Sequence, residues 1–169
     1  MARALKIDAA AAPGRPAKAR QPAGPEAVPV EGGEVEGYEV QSRTEVRRAQ
    51  RRERELQQAY AEHLRRRGEI VTRNKIPVPG SKHSMFTDLF VQSRGHLIEA
   101  KAGCTRNDVR MAIGQLADYA RFLPEARRLA VLLGSRPDAD LLALLASSGI
   151  AAVWRSGASF KDNAGGEFT

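Results

Sequence analysis

The nine residues "GHLIEAKAG", Gly95 to Gly103, set two charged side chains, Glu99 and Lys101, inside an apolar run. The run has the period of a strand, so Leu97, Glu99 and Lys101 share one face while Ile98 and Ala100 share the other. Burying charge costs free energy unless a partner compensates it. An acid and a base on one face of a packed strand therefore demand partners from elsewhere in the chain.

Working outward, the segment before this strand, "SMFTDLFVQ" (84–92), also reads as a strand, and the short link Ser93 to Gly95 predicts a hairpin between the two. On the upstream strand Phe86, Asp88 and Phe90 share a face. The ten residues between Asp88 and Glu99 are a length that a hairpin folds back on itself. Further upstream, "EIVTRNKIPVPG" (69–80) predicts one more strand, completing a meander. A long helix precedes it, capped by Ser42 or Thr44 and stopped by Gly68, with Val46, Ala49, Leu56, Tyr60 and Leu64 as its apolar stripe.

Downstream, Thr105 with Asp108 three residues later predicts a capping box at the start of a second helix. Its stripe is Val109, Ile113, Leu116, Ala120 and Leu123, and Pro124 ends it. "RRLAVLLGS" (127–135) is continuously apolar, as a strand buried on both faces must be. "DADLLALLASSG" predicts a third helix and "IAAVWR" a last strand. The expected order is α-β-β-β-α-β-α-β, an α/β sandwich around a mixed central sheet. Residues 42–155 form this domain. Residues 1–41, rich in Ala, Pro and Gly, read as a disordered arm, and the Gly-rich residues 156–169 as a flexible tail.

A chain of 169 residues with 42% hydrophobic content holds one compact domain and flanking segments. Cys104 is its one cysteine, which excludes an intrachain disulfide and a thiolate zinc site and suits a reducing, cytoplasmic location. No apolar run approaches the roughly 20 residues that cross a bilayer, so no membrane partner is expected. The net charge of +7 points to a polyanion, nucleic acid first. Between Arg43 and Arg67 nine arginines face four glutamates, a surplus of five.

Asp88 and Glu99, on adjacent strands, are placed to converge. Alone they would repel, and one would take up a proton. A Mg²⁺ ion between them removes the conflict, since it prefers oxygen ligands and keeps waters for substrate phosphates. The Ala100 carbonyl is a further ligand candidate. Lys101, beside them, can orient an attacking water or offset charge in a transition state, and is the expected base-like catalytic residue.

The spacing Asp88, ten residues, Glu99-x-Lys101 resembles the core of the PD-(D/E)XK nuclease superfamily, the restriction-endonuclease-like fold. That family's core order of helix, three strands, helix, strand is similar to the order derived for residues 44–135. Thr87 stands where the family pattern often has proline. The next helix contains "GQLADYA", and its Gln115 and Tyr119 resemble the Q-x-x-x-Y signature of the RecB-like and Cas4-like branch, where it lines DNA and active site. With one cysteine, the iron–sulfur cluster of some branch members is excluded. Family members often add a metal-binding glutamate on the first helix, for which Glu55 is the expected residue and Glu62 the substitute.

The resemblance implies a nuclease that uses Mg²⁺, with Mn²⁺ able to substitute, and acts on DNA in defence or repair. A non-cleaving nucleic-acid-binding module of the same fold is the alternative. Arg106 and Arg110, in the first turns of the second helix, are the better candidates for contacting backbone phosphates, with Lys82 and Arg94 from the loops as lesser ones. The small domain implies a homodimer or a targeting partner. The histidines His63, His83 and His96 have no metal-site spacing, and "LLGSRPDAD" lacks the glycines and lysine of a phosphate-binding loop.

Overall fold

In the computed structural model, residues 43–169 are described; the expected arm 1–41 and the Ser42 cap lie outside them. Helix α1 runs Arg43–Arg66, so Thr44 is a helical residue. It buries Leu56, Tyr60, Ala61 and Leu64. The stripe fails at its start: Val46 is 40% exposed, and the first turns, with Arg47, Arg48, Arg51 and Arg52, stand clear of the sheet.

The two upstream strands are each broken in the middle. "EIVTRNKIPVPG" yields β1 (Val71–Thr72) and β2 (Lys75–Pro77), while "SMFTDLFVQ" yields β3 (Ser84–Phe86) and β4 (Leu89–Val91). β2 and β3 form a separate antiparallel ribbon, and β1 pairs β4. The bend between the halves is held at buried Thr87. Its N–H donates to the Asn74 carbonyl at 3.0 Å, its hydroxyl accepts from Asn74 N at 2.9 Å, and its carbonyl accepts from Arg73 Nε at 2.9 Å. Proline at this position could make neither the N–H nor the hydroxyl bond.

After β4 the chain turns through Gln92–Gly95 into β5 (His96–Lys101). Gly95 takes φ +64°, and a side chain there would collide with the Glu125 carbonyl, so this turn requires glycine. Helix α2 (Arg106–Ala120) opens with the expected capping box: Asp108 N donates to Thr105 Oγ1 at 3.2 Å, and Thr105 N to Asp108 Oδ2 at 2.9 Å. Next come β6 (Arg128–Leu133), α3 (Ala139–Ser147) capped by Asp138, and β7 (Ile150–Ser156).

The main sheet has the order β1-β4-β5-β6-β7 and then β8 (Ser159–Asp162). β5, β6 and β7 are parallel and the other pairs antiparallel, so the sheet is mixed and the chain is α/β. Each face of the sheet covers one core. Ile98, Ala100, Leu132 and Val153 pack with α1, while Leu97, Val131, Leu133 and Ala152 pack with α2 and α3. Among the described residues no helix is long and apolar enough to cross a membrane.

The expected flexible tail is instead structured. β8 pairs with β7, and Phe168 is 1% exposed in the α1-side core. Tyr60 donates its hydroxyl to the Phe168 carbonyl at 2.6 Å. Asp162 accepts from the backbone N–H groups of Ala164, Gly166 and Phe168 and from the Thr169 hydroxyl, at 2.8 to 3.0 Å. One carboxylate thus organises a Gly-rich segment that has no periodic pattern.

Candidate functional site

The β4–β5 ladder pairs Leu89 with Ile98; the next step of that register sets Asp88 opposite Glu99, where the bend at Thr87 opens the ladder. Asp88 Oδ2 accepts the Ala100 N–H at 2.9 Å. A strand residue's N–H and C=O point to the same edge, so the Ala100 carbonyl also faces the opening. Glu99 and Lys101 lie on the α2 face, 2% and 8% exposed, with Lys101 Nζ donating to Glu99 Oε1 at 2.8 Å.

The electrostatics of this cluster are conflicted. Burial pushes the Glu99 carboxyl up to about 7, and the nearby Asp88 carboxylate adds to the rise, outweighing the Lys101 ammonium. Burial works against the charge on Lys101, but Glu99 and the other carboxylates outweigh it and hold the ammonium above its usual range. Lys101 is therefore a proton-bearing cation at neutral pH.

The helix carboxylate at this site is Glu53, which corrects the expectation for Glu55. Glu55 lies on the exposed face of α1 and is bound by Arg51 Nε at 2.9 Å. Glu53 is half-buried and accepts the Ala102 N–H at the end of β5. Burial raises its pKa, Lys101 opposes the rise and Asp88 reinforces it. The signal was present in the sequence: Ala49, Glu53, Leu56, Tyr60 and Leu64 keep steps of three and four, whereas Glu55 falls off that line. Glu62, the substitute, is exposed two turns farther along.

Tyr119 and Gln115 face the cluster from α2. Gln115 Nε2 donates to the Tyr119 hydroxyl at 3.4 Å, and burial, with Glu99 and Asp88 nearby, raises the Tyr119 pKa. Gln115 Oε1 is buried without a hydrogen-bond partner. Such an atom calls for a donor such as a bound water.

The four basic candidates divide. Arg110 is exposed on the first turns of α2. Arg106, beside it, is tied to Asp140 of α3. Lys82 is exposed in the bend between β2 and β3. Arg94 is excluded from the site. It lies in the turn at the opposite end of β5, roughly 16 Å along the strand from Glu99 at about 3.3 Å per residue, and is held by Glu69 at 2.6 Å and the Glu167 carbonyl at 3.0 Å.

A hard divalent cation fits this donor set. Two carboxylates that destabilise each other, a strand-edge carbonyl and an unpartnered amide oxygen are all oxygen donors, and the bend leaves the cluster open on one side. Among the described residues no three His, Cys, Asp or Glu side chains form a ready-made cage; a cation held by Asp88 and Glu99 would keep most of its waters. Comparisons with protein-family models, with curated proteins and with solved structures find no match for this chain.

Proposed function

We propose that this chain is a Mg²⁺-dependent nuclease of the restriction-endonuclease-like fold, hydrolysing phosphodiester bonds of DNA. One observation supports the reading above all: the half-buried Asp88 sits with the buried Glu99 and Lys101 where β3 departs from β4, although the acid pair is electrostatically costly. A costly cluster of polar groups in an otherwise apolar sheet is the signature of a working site.

Asp88 and Glu99 would hold the cation with the Ala100 carbonyl, and Glu53 would reach it from α1. Mg²⁺ bound there supplies Lewis acidity and a water of lowered pKa. The chain's own residues do the rest. Lys101, fixed by Glu99, stabilises negative charge developing on the phosphoryl oxygens. Gln115 Oε1 accepts a hydrogen bond from the attacking water and so orients it, and the Tyr119 hydroxyl steadies that amide. The exposed arginines of the first turns of α1, with Arg110, neutralise flanking phosphates. A reducing cytoplasmic setting, which leaves Cys104 unpaired, agrees with this role.

The test is cleavage of supercoiled plasmid in Mg²⁺ and in Mn²⁺, comparing wild type with Lys101→Ala and Asp88→Ala. Metal-dependent nicking or linearisation, abolished in both folded variants, is the expected result. A wild type that binds DNA but cuts neither plasmid, linear nor single-stranded DNA would replace this reading with the non-cleaving module.

A further inference from the structure

Two features beside the acid cluster are not used by the chemistry above. The first is a groove of about 460 Å³ between α1 and the β1 edge, lined by Gln57, Ala61, Arg65, Thr72 and Arg73 and reaching Asp88. Its α1 wall includes a row at four-residue spacing: Gln57, Ala61 and Arg65 span roughly 12 Å at 1.5 Å per residue. The second is Phe86, two residues from Asp88 and 49% exposed in a chain with only 5% aromatic residues.

Phe86 is not a stray surface ring. In the β2–β3 ribbon it pairs directly with Lys75, while their neighbours Ile76 and Met85 turn inward to the core. Lys75 and Phe86 therefore share the outward face. The Arg73 guanidinium lies 5.6 Å from the ring centroid, and its Nε is fixed by the Thr87 carbonyl. Lys82 stands beyond, where the ribbon turns. A half-exposed aromatic ring with Arg73 over it and Lys75 beside it, next to a groove that reaches a carboxylate, matches an anionic polymer whose bases are free to stack. Glu62 is the groove's other acid, and Arg65 one turn away offsets it.

We propose that the ribbon and the α1–β1 groove take single-stranded DNA, with Phe86 stacking the base beside the scissile phosphate and Arg73 and Lys75 holding its backbone. The proposal rests on the nuclease reading for the position of that phosphate. In a duplex the base faces are covered by their neighbours, so Phe86 gains a partner only from an unpaired nucleotide. The natural substrate class is then an unpaired stretch, whether a strand end, a flap, a gap or a segment that negative supercoiling opens in a plasmid, rather than a fully paired duplex.

The test is binding of the full chain, in EDTA, to a fluorescently labelled 15-nucleotide strand and to the blunt duplex of the same sequence. With the metal chelated, binding is read without cleavage. Wild type should prefer the strand. Phe86→Ala should weaken strand binding by roughly 5- to 150-fold, the worth of one base stacked on an aromatic ring, with Phe86→Trp restoring it and duplex affinity unmoved in both. Equal strand affinity in Phe86→Ala, or tighter binding of duplex than strand by wild type, would overturn the proposal. Failure of the nuclease reading would appear only in the plasmid assay, so the two fail separately.

Discussion

The Glu99–Lys101 pair allows a sharp separation of stability from function. Its charges are 2.8 Å apart and both side chains are at least nine-tenths buried. Removing one partner of such a pair costs about 3–5 kcal/mol, whereas replacing both by apolar groups of similar volume is neutral or gains about 1–4 kcal/mol. The single substitution Lys101→Met leaves Glu99 buried beside Asp88 with nothing to favour its charge. Its folded pKa, already about 7, then rises further, away from the unfolded value of about 4.3. A carboxyl shifted upward costs nothing below its unfolded pKa. Above it the cost grows by about 1.4 kcal/mol per pH unit until the folded pKa is reached. Lys101→Met should therefore lose about 2–3 kcal/mol of stability between pH 6 and pH 8. The double variant Glu99→Leu with Lys101→Met has neither the orphan charge nor the repulsion with Asp88. It should match or exceed wild type and lack that pH slope. Urea unfolding followed by the fluorescence of Trp154, the single tryptophan, reads all of this, and plasmid cleavage should be lost in both variants. A double variant less stable than the single one would refute the reasoning, because the pair would then be a net stabiliser of the fold.

Glu53→Gln should lower the apparent Mg²⁺ affinity in cleavage by at least about tenfold, the usual cost of losing a carboxylate near a metal, while Glu55→Gln stays within about twofold; a Mg²⁺ titration of cleavage rate distinguishes them, and equal effects would return the role to Glu55. Phe168→Ala should cost about 3–5 kcal/mol in urea unfolding, as a large buried aromatic does, and a loss below about 1 kcal/mol would restore the tail to the solvent. Burial works against the Asp162 charge, but the hydrogen bonds from Gly166, Ala164, Thr169 and Phe168 outweigh it and hold its pKa low. That stability is present above the unfolded value of about 3.9 and disappears as pH falls through the lower folded one. Thermal melts of Asp162→Asn between pH 2 and 6 should accordingly lack this acid-dependent part of the wild-type loss.

The strands and helices around "GHLIEAKAG" were legible because periodicity reports burial, and burial decided where residues 95–155 went. The capping box at Thr105 and Asp108 was legible because it is a local bond between two side chains and their own backbone. Three features were not. The bend at Thr87 arises from cross-strand bonds to Arg73 and Asn74, which no single segment encodes. The tail's order depends on one carboxylate gathering backbone N–H groups and on one phenylalanine under Tyr60. Glu53 is in phase with the buried stripe of α1 and Glu55 is not, a difference that nearness in sequence hides. In the site itself, the pairing of Asp88 with Glu99 followed from strand alternation, but the distance of Arg94 from them did not. A hairpin puts its turn at the end opposite to the residues that close it.

Helix α1 is a beam clamped along only part of its length. Its buried residues begin at Leu56, and in the turns before it Val46, Arg47, Arg48, Arg51 and Arg52 are exposed. Motion about that clamp is graded. At 1.5 Å per residue, a tilt of about 10° displaces the backbone of Arg47 by roughly 2.4 Å but that of Glu53 by only about 0.8 Å. In the proposed nuclease the arginine end would thus follow an uneven phosphate backbone while the carboxylate beside the fulcrum stays nearly in place. Under that proposal, tolerance of substrate shape and accuracy at the reacting centre would come from the same helix, divided by where its anchorage starts.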